Sequence, residues 1–476
     1  PGSSIRQVYS DNNADHAEVQ RIGQEVREEA TRSILDVNQE PGTRNQEPGA
    51  EASSSQFSVL SSTVVLNSLP WERNEPVMLP FEPDGAVPAG AQAITHAGEA
   101  ALLVAASIPA YGYAPLPAHT PAASPPPLVA TRALLENAEL RLELDDNGEI
   151  ARLYDKTAGR EVLLPGAPAN QLVAYEDRPM QWDAWDIDIF YEEKPYAVRE
   201  IIDWRVSEAG PLRAAITITR RLGTSTITQH IRMWRNSRRI DFATEVDWRE
   251  RQTLLRALFP LDINATRATC EIQFGAVERP THRNTSWDWA RFEVCAQRWV
   301  DLSEGDYGVA LLNDGKYGHS LHHNTLGISL LKGAIFPDAT ADIGQHNFTY
   351  SLYPHQGDWR AAQVVRRAYE LNAPLFAHTL PHAIERGAWF LAPGTGAEHI
   401  VVETVKIADD GSGLIVRLYE AHNQRGPASL RFARPVARAA ETDLLERELG
   451  PVEVAGSEVR FSVRPFEVKT LRVQLG

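Results

Sequence analysis

The chain has 476 residues, more than the roughly 250–300 that one hydrophobic core usually serves, so we expect two to four domains. Its 63 acidic and 47 basic residues give a formal net charge of −16, which argues against nucleic acid as a partner. No window approaches the ~18–20 uninterrupted apolar residues of a membrane span, so we expect no membrane partner either.

Two features bear on the compartment and on the extent of the polypeptide. The only cysteines, Cys270 and Cys295, are too few for a disulfide scaffold, so we expect a reduced, buried pair, which favours a cytoplasmic protein. The chain begins at Pro1, without a methionine and without a secretory signal pattern. We therefore expect it to be part of a longer polypeptide, in which an export signal could precede residue 1.

The first 125 residues predict three different segments. Apolar residues spaced three and four apart within residues 1–37 predict an amphipathic helix. Residues 38–56 contain the pentapeptide NQEPG twice, at 38–42 and 45–49, and have too few apolar residues to fold, so they predict a flexible linker. Alternating strand patterns then predict a small β-sandwich over residues 57–125.

The remaining sequence predicts a mainly β protein. Residues 126–380 predict a large β-sandwich, which starts with a hairpin of 140–144 and 149–153 around an Asn-Gly turn. One helix is predicted late in this domain, at 359–370, and residues 381–476 predict a small C-terminal β-sandwich. Further strands are predicted at 214–220, 226–234, 240–248, 414–419, 428–432, 459–463 and 468–473.

Residues 271–318 carry the densest polar signal. Alternating residues such as Arg291, Phe292, Glu293 and Val294 predict strands here. The loop between the first two strands holds more hydrogen-bonding side chains than a turn requires, which is typical of recognition loops. These side chains are Arg279, Thr281, His282, Arg283, Asn284, Thr285 and Asp288.

Three unusual segments in this half of the chain resemble one enzyme family. ERPTH at 278–282 followed by Asn284 and Thr285, WDAWD at 182–186 and NDGKYG at 313–318 are similar to segments of the β-rich C-terminal half of glycoside hydrolase family 38 α-mannosidases. Shorter similarities lie at 1–5, 66–73, 402–406, 414–420 and 465–471. One departure is Ala408, where the family tends to have a glutamate.

The resemblance implies a fold and an activity. It implies that residues 1–37 are the remnant of a helical bundle and that the large sandwich is a galactose-mutarotase-like supersandwich. It implies hydrolysis of α-linked mannose from glycans or oligosaccharides with retention of configuration, assisted by a divalent metal, usually zinc. In this family the nucleophile, the acid and the metal ligands lie on an N-terminal domain. We therefore expect neither catalytic residues nor a metal site in this chain, which alone would be inactive.

The Trp-Asp segment has two interpretations. Trp182, Asp183, Trp185 and Asp186 could hold a sugar, because indole faces pack on C–H-rich sugar faces and carboxylates accept hydrogen bonds from hydroxyls. Alternatively, both tryptophans belong to a core and both aspartates cap a turn.

The other candidate residues have a functional and a structural interpretation as well. Arg279, His282, Asn284 and Asp288 could line the active-site cleft or dock against the N-terminal catalytic domain, or they could satisfy their own loop. The same choice applies to a second set, for which the sequence favours a structural role: Asp314, Lys316 and Tyr317.

Competing hypotheses remain at this point. His319, His322 and His323 lie close in sequence but do not share one strand face, which argues against a metal site. The sandwiches could bind carbohydrate without hydrolysing it, since such folds host both roles. The large sandwich could also support a homo-oligomer.

Overall fold

The computed structural model describes residues 5–37, 63–82, 85–96, 98–116, 128–380, 384 and 386–476. The predicted linker at 38–56 lies outside the described residues. The fold is mainly β, with one N-terminal helix and several antiparallel sheets, as predicted. No described helix is long and apolar enough to cross a membrane.

Helix α1 (Arg6–Val37) contacts the rest of the chain near its C-terminal end. Leu35 is 1% exposed and packs with Val64, Tyr113 and Leu380. Most of the preceding turns are exposed, including apolar residues such as Ile22. The predicted apolar stripe is therefore present, but most of its side chains are exposed within the described residues, with Leu35 buried and Val8 and Tyr9 half-buried.

The first β region contains strands from two distant parts of the chain. Its strands are β1 (Thr63–Asn67), β2 (Arg73–Pro80), β3 (Gln92–His96), β4 (Glu99–Ile108), β5 (Gly112–Pro115), β26 (Phe376–Thr379) and β27 (Ala388–Trp389). They form one sheet of order β2-β4-β3 and another of order β26-β1-β5-β27. The second sheet contains strands from both sides of the domain boundary predicted at residue 380. Alternation predicts a strand, but it does not predict which strand pairs with it.

The large sandwich is built from three antiparallel sheets. A five-stranded sheet contains β6 (Val129–Thr131), β7 (Leu134–Glu136), β8 (Leu140–Leu144), β9 (Ile150–Asp155) and β10 (Arg160–Glu161). A six-stranded sheet, in spatial order, contains β12 (Pro195–Ala197), β11 (Gln171–Glu176), β17 (Thr253–Pro260), β24 (Thr325–Lys332), β23 (Gly318–His322) and β20 (Val294–Cys295). A nine-stranded sheet, in spatial order, contains β13 (Glu200–Ala209), β14 (Arg213–Leu222), β15 (Ser225–Trp234), β16 (Ile240–Trp248), β25 (Gly344–Gln356), β22 (Tyr307–Asn313), β21 (Trp299–Ser303), β18 (Arg267–Ile272) and β19 (Gly275–Pro280).

The main core of this sandwich contains apolar side chains from all three sheets. Phe242 of β16, Phe259 of β17 and Tyr350 of β25 pack in one aromatic group, with the Phe242 and Tyr350 rings stacked 5.0 Å apart. On β15 every second residue is buried, including Ile227 and Ile231, as expected for a strand with one face toward a core.

Two local predictions in this domain were wrong in their bounds. The helix predicted at 359–370 is α3 (Val364–Asn372), because Gln363 has a φ of 56° and interrupts any earlier helical turn. The strand predicted over 291–294 is only Val294–Cys295. Phe292 instead lies in a loop and packs against Tyr191. A short helix, α2 (Ser286–Trp289), and a 3-10 turn (Ile189–Glu193) also lie in loops.

The C-terminal sandwich has its own core between two antiparallel sheets. One sheet, in spatial order, contains β28 (Leu391–Pro393), β31 (Gly426–Phe432), β35 (Glu458–Val463) and β34 (Glu453–Ala455). The other contains β29 (Ile400–Ile407), β30 (Leu414–Glu420), β36 (Val468–Leu475), β32 (Val436–Thr442) and β33 (Glu448–Pro451).

Candidate functional site

The candidate site lies on the outer face of the six-stranded sheet. On β17, Leu255 and Phe259 point into the sandwich core, while Leu254 and Arg256 point to the opposite face. Two loops cover that face. We name residues 177–194 the Trp-Asp loop and residues 281–293 the His-Arg loop.

The Trp-Asp loop is attached to the backbone at residues 335 and 336. One carboxylate oxygen of Asp183 accepts hydrogen bonds from the amides of Ile335 and Phe336, and Ala184 N–H donates to the Phe336 carbonyl at 3.1 Å. Asp183 is 8% exposed, and its second oxygen is buried without a hydrogen-bond partner in the described part of the chain. Asp183 therefore anchors the loop.

This anchoring leaves the loop's tryptophans at the surface. Trp182 has a φ of 61°, and its carbonyl accepts from the amides of Trp185 and Asp186 at 2.7 and 2.9 Å. Trp182 is 54% exposed and Trp185 44%, with their rings 6.2 Å apart in an edge-on arrangement. The Asp186 carboxylate is exposed and accepts a hydrogen bond from the adjacent amide of Ile187. Asp183 thus anchors the loop, whereas the Asp186 carboxylate remains exposed.

A cavity of about 490 Å³ opens beside Trp182. Its walls include Pro179, Met180, Trp182, Phe336 and the carboxylate-bearing Asp183. Met180 and Phe336 are also largely exposed. Apolar and aromatic walls next to a few polar groups are typical of small-molecule sites.

The His-Arg loop contains a short capped helix, α2. Thr285 Oγ1 accepts from Asp288 N–H at 3.1 Å, and the Asp288 carboxylate accepts from Thr285 N–H at 3.3 Å. His282 Nδ1 lies 3.5 Å from the same carboxylate. Asp288 therefore has a structural role in capping α2.

Other residues of this region either make hydrogen bonds within the fold or lie exposed at the surface. Arg279 donates to the Cys295 carbonyl at 3.2 Å, which links β19 to β20. Asn284 is exposed. Trp287 and Trp289 of α2 are 75% and 48% exposed, so the loop also presents aromatic surface.

A buried cluster of Tyr191, Arg256 and Glu293 ties both loops to the sheet. Arg256 donates through Nη1 to the Tyr191 hydroxyl oxygen and the Glu293 carboxylate, and Tyr191 donates to Glu293 at 2.8 Å. Burial raises the pKa of Tyr191 above its usual value, which keeps this donor protonated. We call these three residues the Arg256 cluster.

A second, more exposed contact joins the loops directly. Arg283 forms two hydrogen bonds with the Glu192 carboxylate, at 2.7 and 2.8 Å. The Trp-Asp loop and the His-Arg loop are therefore neighbours over one sheet. The sequence analysis did not single out Tyr191, Glu192 or Arg256. An arginine inside the apolar strand LLRALFP was an available signal, since a buried charge needs a buried partner.

The turn at 313–317 lies at one end of the same sheet, before β23. The Asn313 side chain accepts from the amides of Gly315 and Lys316, and Asp314 accepts from Thr349 N–H at 2.8 Å. Lys316 Nζ lies 4.4 Å above the Phe348 ring.

Charged side chains lie between this turn and the backbone segment that anchors the Trp-Asp loop. Burial lowers the pKa of Lys316, and the nearby carboxylates of Asp342 and Asp314 oppose that shift. Asp342 in turn accepts a backbone hydrogen bond from Ala334, next to the residues that bind Asp183. Tyr317 is 53% exposed.

The three histidines near this turn do not converge. His319 is buried, and burial lowers its pKa to about 4. His322 and His323 pack against each other at 4.3 Å on the exposed side. Among the described residues, no group of three or more His, Cys, Asp or Glu side chains could hold a metal ion. The described residues therefore contain no set of side chains that fits the metal implied by the family resemblance.

Two known domain families match large parts of this chain. Residues 135–340 match the family described as "Glycosyl hydrolases family 38 C-terminal domain", and residues 399–471 match "Glycosyl hydrolases family 38 C-terminal beta sandwich domain". The chain carries the C-terminal domains of glycoside hydrolase family 38. Both covering loops and the 313–317 turn fall inside the first matched range.

Individual relatives agree with this family 38 assignment. Alpha-mannosidase 2C1 of Homo sapiens is 37% identical over 430 residues, covering 87% of this chain and 40% of that protein. Alpha-mannosidase G of Dictyostelium discoideum is 38% identical over 354 residues, covering 71% of this chain and 32% of that protein. The chain thus spans about 40% or less of the length of these two curated relatives.

Solved structures show the same fold. The crystal structure of an alpha-mannosidase from Enterococcus faecalis V583 superposes with a TM-score of 0.74 at 17% identity, covering 99% of this chain and 61% of that one. A second family 38 protein from Enterococcus faecalis gives a TM-score of 0.75 at 16% identity, covering 99% and 64% of the two chains.

Proposed function

We propose that this chain is the C-terminal part of an α-mannosidase that hydrolyses α-linked mannose from glycans or oligosaccharides with retention of configuration. We further propose that the Trp-Asp loop and the His-Arg loop face the sugar-binding cleft. The observation that carries this proposal is the exposed Trp182 beside the anchored Asp183, on a loop that the Arg256 cluster holds to the sheet.

The proposed role of these residues is binding and positioning. A retaining glycosidase needs a nucleophilic and an acidic carboxyl group about 5–5.5 Å apart. The family resemblance assigns both groups, and a zinc site, to an N-terminal domain, so we assign no bond-breaking step to this chain. The Trp182 indole would receive the C–H face of a sugar, and the exposed Asp186 carboxylate would accept from its hydroxyls.

The His-Arg loop supports a second part of the proposal, contact with the catalytic domain. Trp287 and Trp289 expose large apolar surface on a helix that is capped by reciprocal hydrogen bonds between Thr285 and Asp288. Aromatic residues are enriched in the centres of protein interfaces. We propose that α2 packs against the N-terminal catalytic domain, beside the cleft.

A direct test compares two polypeptides on an aryl α-mannoside with added zinc. One is the 476-residue chain, and the other carries a family 38 N-terminal catalytic region in front of residue 1. We expect hydrolysis only by the second. Hydrolysis by neither, together with retained glycan binding, would instead support a carbohydrate-binding protein without catalysis.

The role of the Trp-Asp loop is tested in the active polypeptide. Trp182→Ala should lower kcat/KM by about 10- to 100-fold, because the sugar loses a positioning surface. Trp389→Ala is the matched control, since Trp389 is 38% exposed but lies on β27 in another sheet. Equal activity of the two variants would exclude Trp182 from the cleft.

We also propose a cytoplasmic location. Support comes from Cys270 and Cys295, which are both free thiols. Cys270 is buried as expected, but the expectation that Cys295 is buried was wrong, since it is exposed. Free thiols persist in reducing compartments. A homo-oligomer remains a prediction that size-exclusion chromatography with light scattering would test.

A further inference from the structure

A second cavity lies at the start of the His-Arg loop and shares no lining residue with the cavity beside Trp182. It has a volume of about 610 Å³ and lies where the segment after β17, the β23–β24 turn and the start of the His-Arg loop meet. Asn324 Nδ2 donates to the Leu261 carbonyl at 2.7 Å, and Thr281 Oγ1 donates to the Ala265 carbonyl at 2.9 Å. These bonds hold the backbone that forms the cavity wall.

The cation in the cavity wall is already paired. Arg160 donates to Glu304 at 2.7 Å and to the Asp262 carbonyl at 2.5 Å, and its guanidinium lies 4.4 Å from the centre of the Tyr307 ring. The second oxygen of Glu304 accepts from Asn264 N–H at 2.7 Å. Asp262 also lines the cavity, so the wall contains two acidic residues and one arginine. This balance disfavours an anionic ligand.

Four other side chains in the wall have unused hydrogen-bonding capacity. They are Asn264, Thr266 and His323, none of which makes a side-chain hydrogen bond to another described residue, and His282, whose Nδ1 lies 3.5 Å from the Asp288 carboxylate. An amide, a hydroxyl and two imidazoles together offer both donors and acceptors at short spacing. Such a set matches a ligand whose own groups both donate and accept.

We propose that this cavity binds a neutral polyhydroxylated ligand, one or two pyranose units of a glycan, at a site that shares no lining residue with the cavity beside Trp182. The volume lies within the ~300–1,000 Å³ typical of ligand pockets. Hydroxyl groups can pair with the free amide, hydroxyl and imidazole groups, and they bring no charge against Asp262 and Glu304. The proposal does not depend on the mannosidase activity.

The experiment separates this site from the cleft by mutation. Binding of methyl α-mannopyranoside to the 476-residue chain is measured by calorimetry and saturation-transfer NMR in a Trp182→Ala background, which removes the cleft's aromatic surface. We expect binding to persist there. Adding Asn264→Ala and Thr266→Ala should raise the dissociation constant about tenfold, because two hydrogen-bonding side chains are lost. Loss of binding through Trp182→Ala alone would place the sugar in the cleft and overturn the proposal.

Controls keep the result interpretable. Asn74→Ala, at an exposed asparagine of β2, should leave the dissociation constant unchanged. His323→Gly provides a second variant with the same expected loss, since it removes the imidazole and glycine readily adopts the φ of 53° found at His323. Inorganic phosphate should not bind. Tighter binding of phosphate than of the sugar, or binding that ignores both sets of variants, would contradict the proposal.

Discussion

Asp183 and Asp186 belong to one short segment, yet only one of them holds the loop in place. Asp183 is buried and accepts from two backbone amides, whereas Asp186 is exposed and contacts its own neighbour. Removing a carboxylate that accepts from two amides lowers the free energy of unfolding, because both donors would be left without a partner. Asp183 therefore positions Trp182, while Asp186 remains available to a ligand.

His319 shows a different consequence of burial at the residue scale. It is 1% exposed on β23, its Nδ1 lies 3.1 Å from the Tyr317 carbonyl, and burial lowers its pKa to about 4. The unfolded chain protonates this histidine near pH 6.5, so between about pH 6.5 and 4 the unfolded state binds more protons. The contribution of His319 to stability is thus fully present above pH 6.5 and is lost as the pH falls toward 4.

We predict that His319→Gln makes the stability of the protein less sensitive to acid. In the wild type, this residue should lower the free energy of unfolding by about 3 kcal/mol between pH 6.5 and 4. Urea unfolding at a series of pH values measures the slope, which should be shallower in the variant. His16→Gln, at an exposed position of α1, is the control and should leave the slope unchanged. Identical slopes in all three proteins would refute the prediction.

At the scale of elements, the site depends on how two loops are held to one sheet. The loops contain little regular structure, only a 3-10 turn and the four residues of α2. The Arg256 cluster supplies the connection, because Tyr191 comes from one loop, Glu293 from the other and Arg256 from β17 between them. A buried charge pair of this kind is costly to break but need not stabilise more than apolar packing would.

We predict that Arg256→Met lowers the free energy of unfolding by about 3–5 kcal/mol, since Glu293 would remain buried without its cation. The double variant Arg256→Met with Glu293→Leu should recover most of that loss. Urea unfolding followed by tryptophan fluorescence measures both. Arg438→Met is the control for an exposed pair with Glu448 and should cost at most about 1 kcal/mol. A double variant less stable than Arg256→Met alone would show that the charges themselves are required.

At the scale of the whole molecule, helix α3 joins the three β regions. Trp71 of the first region donates to Glu370 at 3.0 Å, and Asn372 donates to the Asn313 carbonyl of the large sandwich at 2.9 Å. Tyr369 donates to Glu403 of the C-terminal sandwich at 2.5 Å, with the Tyr419 hydroxyl 3.2 Å away. The helix therefore contacts all three β regions through side-chain hydrogen bonds.

We predict that Tyr369→Phe weakens the attachment of the C-terminal sandwich. The loss of hydrogen bonding to Glu403 should cost about 1–2 kcal/mol of stability. Calorimetry should show a lower melting temperature and a broader transition, as the sandwiches begin to unfold separately. Tyr317→Phe, which removes an exposed hydroxyl, should change neither quantity. Equal effects of the two variants would mean that the Tyr369 hydroxyl does not couple the regions.

The candidate site could be located from sequence only in part. The segments that resemble family 38 pointed to Trp182, Asp183 and His282, because three long and unusual segments occur in the same order and at plausible spacing. Their separate roles were not predictable, since Asp183 and Asp186 have the same side chain and differ only in what lies near them. Glu293 is 37 residues from its partner Arg256, and no local pattern pairs them.

The sequence by itself determined that the chain consists mainly of strands with a helix at its start, although not every bound, because alternation and three-to-four spacing are local properties of the chain. It thereby determined the mainly β fold and the succession of predicted sandwiches. Only the tertiary structure decided that β26 pairs with β1, that both covering loops share one sheet face and that Trp182 stays exposed. These features depend on contacts between distant residues, whose free energy is set by burial and pairing in the folded state.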